Sequence, residues 1–131
     1  MLQIQNSRNS DFERLGGAEQ VRLLVDRFYD RMDALPESRA VRALHPEDLE
    51  GSRQKLYEFL SGWLGGPPLF VERHGPPMLR ARHLPFSIGI RERDQWLLCM
   101  RGALDEVVAD TELRERLYAN LVKVADHMRN A

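Results

Sequence analysis

A single cysteine, Cys99, stands in a chain of 131 residues. It cannot close an internal disulfide or build a cysteine-rich zinc or iron–sulfur site. No apolar run approaches the ~18 residues of a membrane span. The N-terminal MLQIQNSRNSDFERL lacks the charged-then-apolar layout of a signal peptide, which makes the cytoplasm the expected location. Excess charge is missing too: a formal net charge of −1 offers no basic field to a nucleic acid. There is no Walker loop, no HExxH, no GxSxG, and no flavin or nicotinamide motif. The four histidines are scattered, with no His/carboxylate cluster at i, i+4, so a metal held by protein groups alone is poorly served. Asp11 with Glu13, and Asp105 with Glu106, read as solvated charge and not as a catalytic carboxylate pair. Strand-type alternation never persists beyond a few residues.

Helical periodicity fills the space these absences leave. At 43% apolar and 30% charged, the chain has the composition of a soluble globule, and its length suits one domain over residues 11–131. Residues 1–10 read as a flexible leader. A short helix at 11–15 stops at Gly16-Gly17. AEQVRLLVDRFYDRMDAL then carries Val21, Leu24, Val25, Phe28, Tyr29 and Met32 on one stripe and ends before Pro36. A short helical turn follows at 37–43. Pro46 is expected to open a helix with Leu49, Ser52, Leu56, Phe59, Leu60 and Trp63 inward, closed by Gly65-Gly66-Pro67-Pro68. Ordered loop is expected from Pro67 to Leu79, and Pro85 limits the segment at 79–84 to a very short helix. Two longer helices close the chain, at 91–109 and 111–128. Trp96, Leu97, Met100, Leu104 and Val107 face inward on the first; Leu113, Leu117, Leu121, Val124 and Met128 do so on the second. Asp110 is the expected N-cap of the last. The fold class is all-α around a single core.

Few residues in this pattern carry chemistry. His83 lies between Arg80, Arg82 and a Leu-Pro-Phe stop, in a segment too short to be a stable helix alone. Such a segment needs something to pack on, and a flat apolar cofactor would serve. A haem asks for one neutral imidazole on its iron and for cations near its carboxylates, and Arg-x-Arg-His supplies both. Tyr29 sits on an apolar face, where its hydroxyl must find a backbone partner or point at a ligand. Trp63 and Trp96 read equally as core residues, Ser52 as a back-bonding serine, and His45 as a turn residue before a helix. His74 and His127 look exposed, and Cys99 reads as a small buried apolar residue.

Taken in order, these marks resemble a known family. LGG at 15–17, VDRFYDRM at 25–32, LHPEDLEGSRQKLYEFLSGWLGGPP at 44–68, GPPMLRARHLPFSI at 75–88 and RDQWLLCM at 93–100 resemble the group II truncated haemoglobins, from about Phe12 to Met128. The resemblance implies a truncated-globin, two-over-two helical sandwich around haem b (iron protoporphyrin IX), with His83 as the proximal iron ligand. It implies Tyr29 and Trp96 as distal hydrogen-bond donors, and His45 as a third donor or as the group that orients Tyr29. Ser52 falls where many globins carry a gating histidine. Leu56, Phe59 and Leu60 would form the apolar distal wall with Phe28 behind. Arg82 and Arg80 would meet the propionates, and Phe86, Ile88 and Met100 would line the cofactor. Gly75-Pro76-Pro77 replaces the Gly-His-Pro common in the family, and histidine at 45 is rarer there than tyrosine or phenylalanine.

The implied function is reversible binding of dioxygen and other diatomic ligands (NO or CO) with high oxygen affinity. Oxidation of nitric oxide to nitrate, or reaction with peroxide, would need an external reductase. Internal coordination of the iron by Tyr29 or His45 is a second possibility. The protein would be a monomer or homodimer, without nucleic-acid or membrane partners. The rival reading is a cofactor-free helical interaction module, in which Phe59, Trp63 and Trp96 are plain core.

Overall fold

Ser10 opens the first element of the computed structural model, which describes residues 10–131. The leader expected over residues 1–10 lies outside the described residues, apart from Ser10 itself. The Ser10 hydroxyl accepts from the Glu13 amide at 3.2 Å and the Glu13 carboxylate accepts from the Ser10 amide, a capping box that starts α1 (Asp11–Leu15). Gly16, at φ 122°, ends it in a conformation that a side chain would oppose.

α2 (Ala18–Ala34) buries the six residues of the expected stripe, Val21, Leu24, Val25, Phe28, Tyr29 and Met32. Pro36 begins a 3-10 turn (Pro36–Ser38) that leads into α3 (Arg39–Arg42). α4 spans Glu50–Trp63, four residues later than the Pro46 start read from sequence. The reason is a competing set of bonds. The Arg42 guanidinium takes the carbonyls of Pro46 (2.9 Å) and Glu47 (2.8 Å), and the Asp48 carboxylate accepts from the Glu50 amide at 2.9 Å. These hold 46–49 as a turn.

The stretch expected as loop from Pro67 to Leu79 contains a further helix, α5 (Leu69–His74). Its six residues cannot form a helix unaided. Phe70 is buried and edge-on to Phe59 at 6.4 Å, and Arg73 and His74 both bond the Glu58 carboxylate of α4. Tertiary contact therefore supplies what local sequence does not. α6 is Leu79–His83, α7 is Ile90–Val107 and α8 is Thr111–Met128, with the Asp110 carboxylate accepting from the Leu113 amide as expected. Ala125 takes the buried place expected of Val124, which is half-buried.

The long helices form the two-over-two sandwich. α2 packs on both α4 and α7, and α7 packs on α8. Phe28, Met100, Leu104, Leu113 and Leu117 are sealed inside the core these contacts create. The outer edge of α1 is tied to α8 by Arg14–Asp110 (2.7 Å) and Arg116–Asp11 (2.8 Å). No described helix is long and apolar enough to cross a membrane.

Candidate functional site

α6 differs from every other helix in having no buried residue. Met78 precedes it in the left-handed region, φ 43°, and Pro85 follows one residue beyond its C-cap, so the chain can form little more than one turn. The helix packs mainly on the end of α8 and makes no extensive contact with α4 or α7. Between these elements an apolar surface is left open. Leu56, Phe59 and Trp63 of α4 and Trp96 of α7 pack on the core yet stay only half-buried. Around α6, Met78, Leu84 and Phe86 remain 64%, 57% and 42% exposed. Apolar surface left uncovered on such a scale marks a binding surface.

The two imidazoles at this cleft are set up alike. The His83 Nδ1 lies 2.6 Å from the Leu79 carbonyl, one helical turn back. A carbonyl only accepts, so the proton sits on Nδ1 and Nε2 keeps a bare lone pair, the form that ligates a metal. The His45 Nδ1 lies 2.9 Å from the Val41 carbonyl, with the same consequence. The neutral ring of His45 therefore has no N–H left to donate; its Nε2 is an acceptor. Burial lowers the pKa of His45 from its usual value. The charge of Arg42 works in the same direction, and together with burial it outweighs the opposing bond to Val41.

Tyr29 and Trp96 meet at Phe28. The Tyr29 ring stands edge-on to Phe28 at 4.8 Å and to His45 at 5.8 Å, and Trp96 stands edge-on to Phe28 at 5.0 Å. Burial pushes the Tyr29 phenol well above its usual range, with the Arg53 charge only partly opposing, so Tyr29 is an O–H donor at neutral pH. Among the described residues, neither the Tyr29 hydroxyl nor the Trp96 N–H makes a hydrogen bond to a protein acceptor. Two donors without a protein acceptor thus stand together on either side of Phe28, with His45 beside them.

The remaining residues proposed from sequence are spread over α4, α6, α7 and the connection between α6 and α7. Leu60 and Met100 are enclosed by protein, at 1% and 0% exposure. Ile88 is 9% exposed. Ser52 is half-buried on α4. The Arg80 guanidinium turns to the end of α8, donating to the carbonyls of His127 (3.0 Å) and Arg129 (2.6 Å). Arg82 donates to Pro77 (2.6 Å), His74 (3.0 Å) and Pro76 (3.2 Å), leaving its Nη1 without a carbonyl, and stacks over Phe70. The Gly75-Pro76-Pro77 loop supplies unbonded carbonyls that compete for Arg82, while the end of α8 supplies those that take Arg80.

One polar cluster escaped the sequence reading. Glu58 is 2% exposed, yet it accepts from Gln54 (3.0 Å), Arg73 (2.8 Å) and His74 (2.8 Å). His74 had looked like a surface residue without a task. The one available signal was a carboxylate inside the apolar run LYEFL.

The donor set suits a haem: one imidazole with a free Nε2, two hydrogen-bond donors without a protein acceptor, and apolar rings left half-buried. A bacterial-like globin family model matches residues 10–130. The group 2 truncated hemoglobin YjbI of Bacillus subtilis is 44% identical over 124 residues, which are 95% of this chain and 91% of that protein. The group II 2-on-2 hemoglobin of Agrobacterium tumefaciens superposes with a TM-score of 0.93 at 49% identity, covering 97% of this chain and 98% of the other. The truncated oxygen-avid haemoglobin of Bacillus subtilis gives a TM-score of 0.85 at 44% identity, covering 93% and 100%. Fold, motifs and site together place the chain in the bacterial-like globin family, among the group II truncated, two-on-two haemoglobins.

Proposed function

We propose that this globin holds haem b through His83 and binds dioxygen tightly and reversibly. The observation that carries the reading is the His83–Leu79 bond at 2.6 Å, which leaves Nε2 as a ready ligand. When bound, the haem supplies an iron with one coordination position open to a diatomic ligand. Every other part of the chemistry belongs to the chain.

Tyr29 and Trp96 donate to a polar diatomic on the distal side and so favour dioxygen over carbon monoxide. A hydrogen bond to a charged acceptor contributes roughly 1.5–3 kcal/mol, and two of them slow oxygen release by about two to four decades. His45, whose Nδ1 proton is committed to the Val41 carbonyl, packs edge-on against the Tyr29 ring and leaves the phenol proton to the diatomic. Ser52 is small and leaves the distal entrance open to small ligands. Leu56 and Phe59 keep water from the distal side. Arg82, with one nitrogen uncommitted, is the better placed of the two arginines to meet a propionate. The relative described as oxygen-avid supports high affinity here. Oxidation of nitric oxide to nitrate, and reaction with peroxide, would both draw electrons from a separate reductase.

Replacing His83 with glycine tests the reading. The variant should fold, lose haem on gel filtration and recover a haem spectrum when imidazole is added. A glycine variant that keeps the wild-type Soret spectrum without imidazole rejects the proximal assignment.

A further inference from the structure

The carbonyl of His83 is reached from the far end of the chain. Asn130, just past α8, donates from Nδ2 to the carbonyls of Phe86 (2.8 Å) and His83 (3.3 Å), and its Oδ1 accepts from the Ile88 amide at 2.9 Å. Its own amide and that of Ala131 both bond the Ile88 carbonyl, at 2.8 and 3.1 Å. Arg80 adds the reverse connection, from α6 to the carbonyls of His127 and Arg129. Every backbone group named here belongs either to α6 and the five residues after it, or to the last turn of α8 and the residues that follow it.

These bonds matter because packing does not hold α6. The helix buries none of its residues and makes no extensive contact with α4 or α7. The imidazole of His83 is locked to α6 by its own turn, through Leu79, so ring and helix move as one body. What sets that body relative to the core is therefore the bonds to residues 127–131, together with the contacts of Arg82 to the His74 carbonyl and the Phe70 ring of α5. A carboxamide is suited to the central place. It offers an acceptor and a donor on one rigid plane, matching the free Ile88 N–H, the Phe86 carbonyl and the second lone pair of the His83 carbonyl, which also accepts from the Phe86 amide at 3.0 Å. Aspartate lacks the donor, and an apolar side chain lacks both.

We infer that Asn130 is a positioning residue for the iron ligand: its carboxamide clamps α6 and the α6–α7 connection to the end of α8 and thereby sets the orientation of the His83 ring toward the haem. The inference rests on the proposed role of His83. It concerns how firmly and at what angle the imidazole is held, so it affects haem retention and the iron–imidazole bond. It does not affect the distal donors.

The test uses the full chain loaded with haem. Wild type, Asn130→Ala and the near-isosteric Asn130→Asp are compared in three measurements: haem transfer to an excess of an apoglobin acceptor, the iron–histidine stretching band of the ferrous protein by resonance Raman, and thermal melting. Both variants should lose haem roughly tenfold faster or more, as expected for two lost hydrogen bonds, and should shift or broaden the band. Asn130→Asp retains the backbone bonds and an oxygen at Oδ1, so it reports even where the alanine variant fails to fold. Wild-type transfer rate and band in Asn130→Asp overturn the inference. A lowered melting temperature with an unmoved band also overturns it, since that is the mark of a merely structural contact. The His83→Gly control separates the two readings. If that control keeps the wild-type spectrum, the ligand assignment has failed and the clamp falls with it. If it loses haem while Asn130→Asp behaves as wild type, the clamp alone has failed.

Discussion

The imidazole of His45 stands edge-on to the Tyr29 phenol, ring centres 5.8 Å apart and planes at 75°, with its one N–H committed to the Val41 carbonyl. Burial, only partly opposed by that bond and aided by the charge of Arg42, places its pKa below the ordinary value of about 6.5, so the ring is neutral and an acceptor at neutral pH. The unfolded chain then binds the proton more readily than the folded one. The stability this contributes is complete above about pH 6.5 and is lost as pH falls toward the folded value. Urea unfolding across pH 7.5 to 5 should show that decline in the wild type and a flatter profile in His45→Phe. Two superimposable profiles would remove His45 from the acid limb.

Trp96→Phe keeps a ring against Phe28 but removes the indole N–H. If that donor acts on bound dioxygen, its loss should speed oxygen release by about one to two decades, the equivalent of a hydrogen bond to a charged acceptor. Stopped-flow displacement of oxygen from the ferrous protein measures this directly. Tyr29→Phe should act in the same direction. An unchanged rate in Trp96→Phe takes Trp96 out of the distal set.

Glu58 is the carboxylate buried most deeply between α4 and α5. Burial pushes its pKa up, but hydrogen bonds from Gln54 and His74 and the charge of Arg73 outweigh burial and hold it below the usual carboxylate range. The stability this supplies is present above about pH 4.3 and disappears as pH falls through the folded value. Glu58→Ala should cost about 2 kcal/mol at pH 7, since Arg73 and His74 are exposed enough to regain water while Gln54 loses its partner. Because α5 has little else to hold it, amide exchange across 69–74 should rise with the loss. Unaltered exchange there would show that Phe70 alone secures the helix.

Gly66 sits where α1 returns to the end of α4, beside the bond from the Phe12 amide to the Leu64 carbonyl at 2.8 Å. A Cβ at Gly66 would run into the Phe12 ring. An aromatic ring pinned by its own backbone cannot move aside as the tip of a long side chain can. Gly66→Ala should therefore destabilise by about 1–3 kcal/mol, read as a lower urea midpoint with an unchanged slope. A neutral result would mean that α1 is more loosely docked than the structure describes.

Much of this molecule was legible in one dimension. The six inward positions of α2 follow a period of 3.6, and all six are buried. Asp110 caps α8 because a carboxylate three residues before an orphan amide reaches it whatever the rest of the chain does. Those features depend on neighbours within a turn or two. The motif around His83 was legible through resemblance, and its Nδ1 bond to Leu79 is again local, between residues four apart.

Other features lay beyond that reach. The start of α4 moved to Glu50 because one arginine side chain, Arg42, captured the carbonyls ahead of it. α5 exists because Glu58, sixteen residues before His74, needed partners for a buried charge. Arg80 left the propionate role expected of it for carbonyls 47 and 49 residues away. Asn130 gave no sign at all, since nothing in RNA at 129–131 distinguishes a clamp from a frayed end.

The sequence alone determined which faces are apolar, where helices stop, and which residues carry a lone pair or a proton worth using. Only the tertiary structure decided which of them meet. Periodicity and capping are settled by the covalent neighbourhood. The partner of a buried carboxylate or a free carbonyl is settled by whatever chain returns to it, at a cost of several kcal/mol if nothing does.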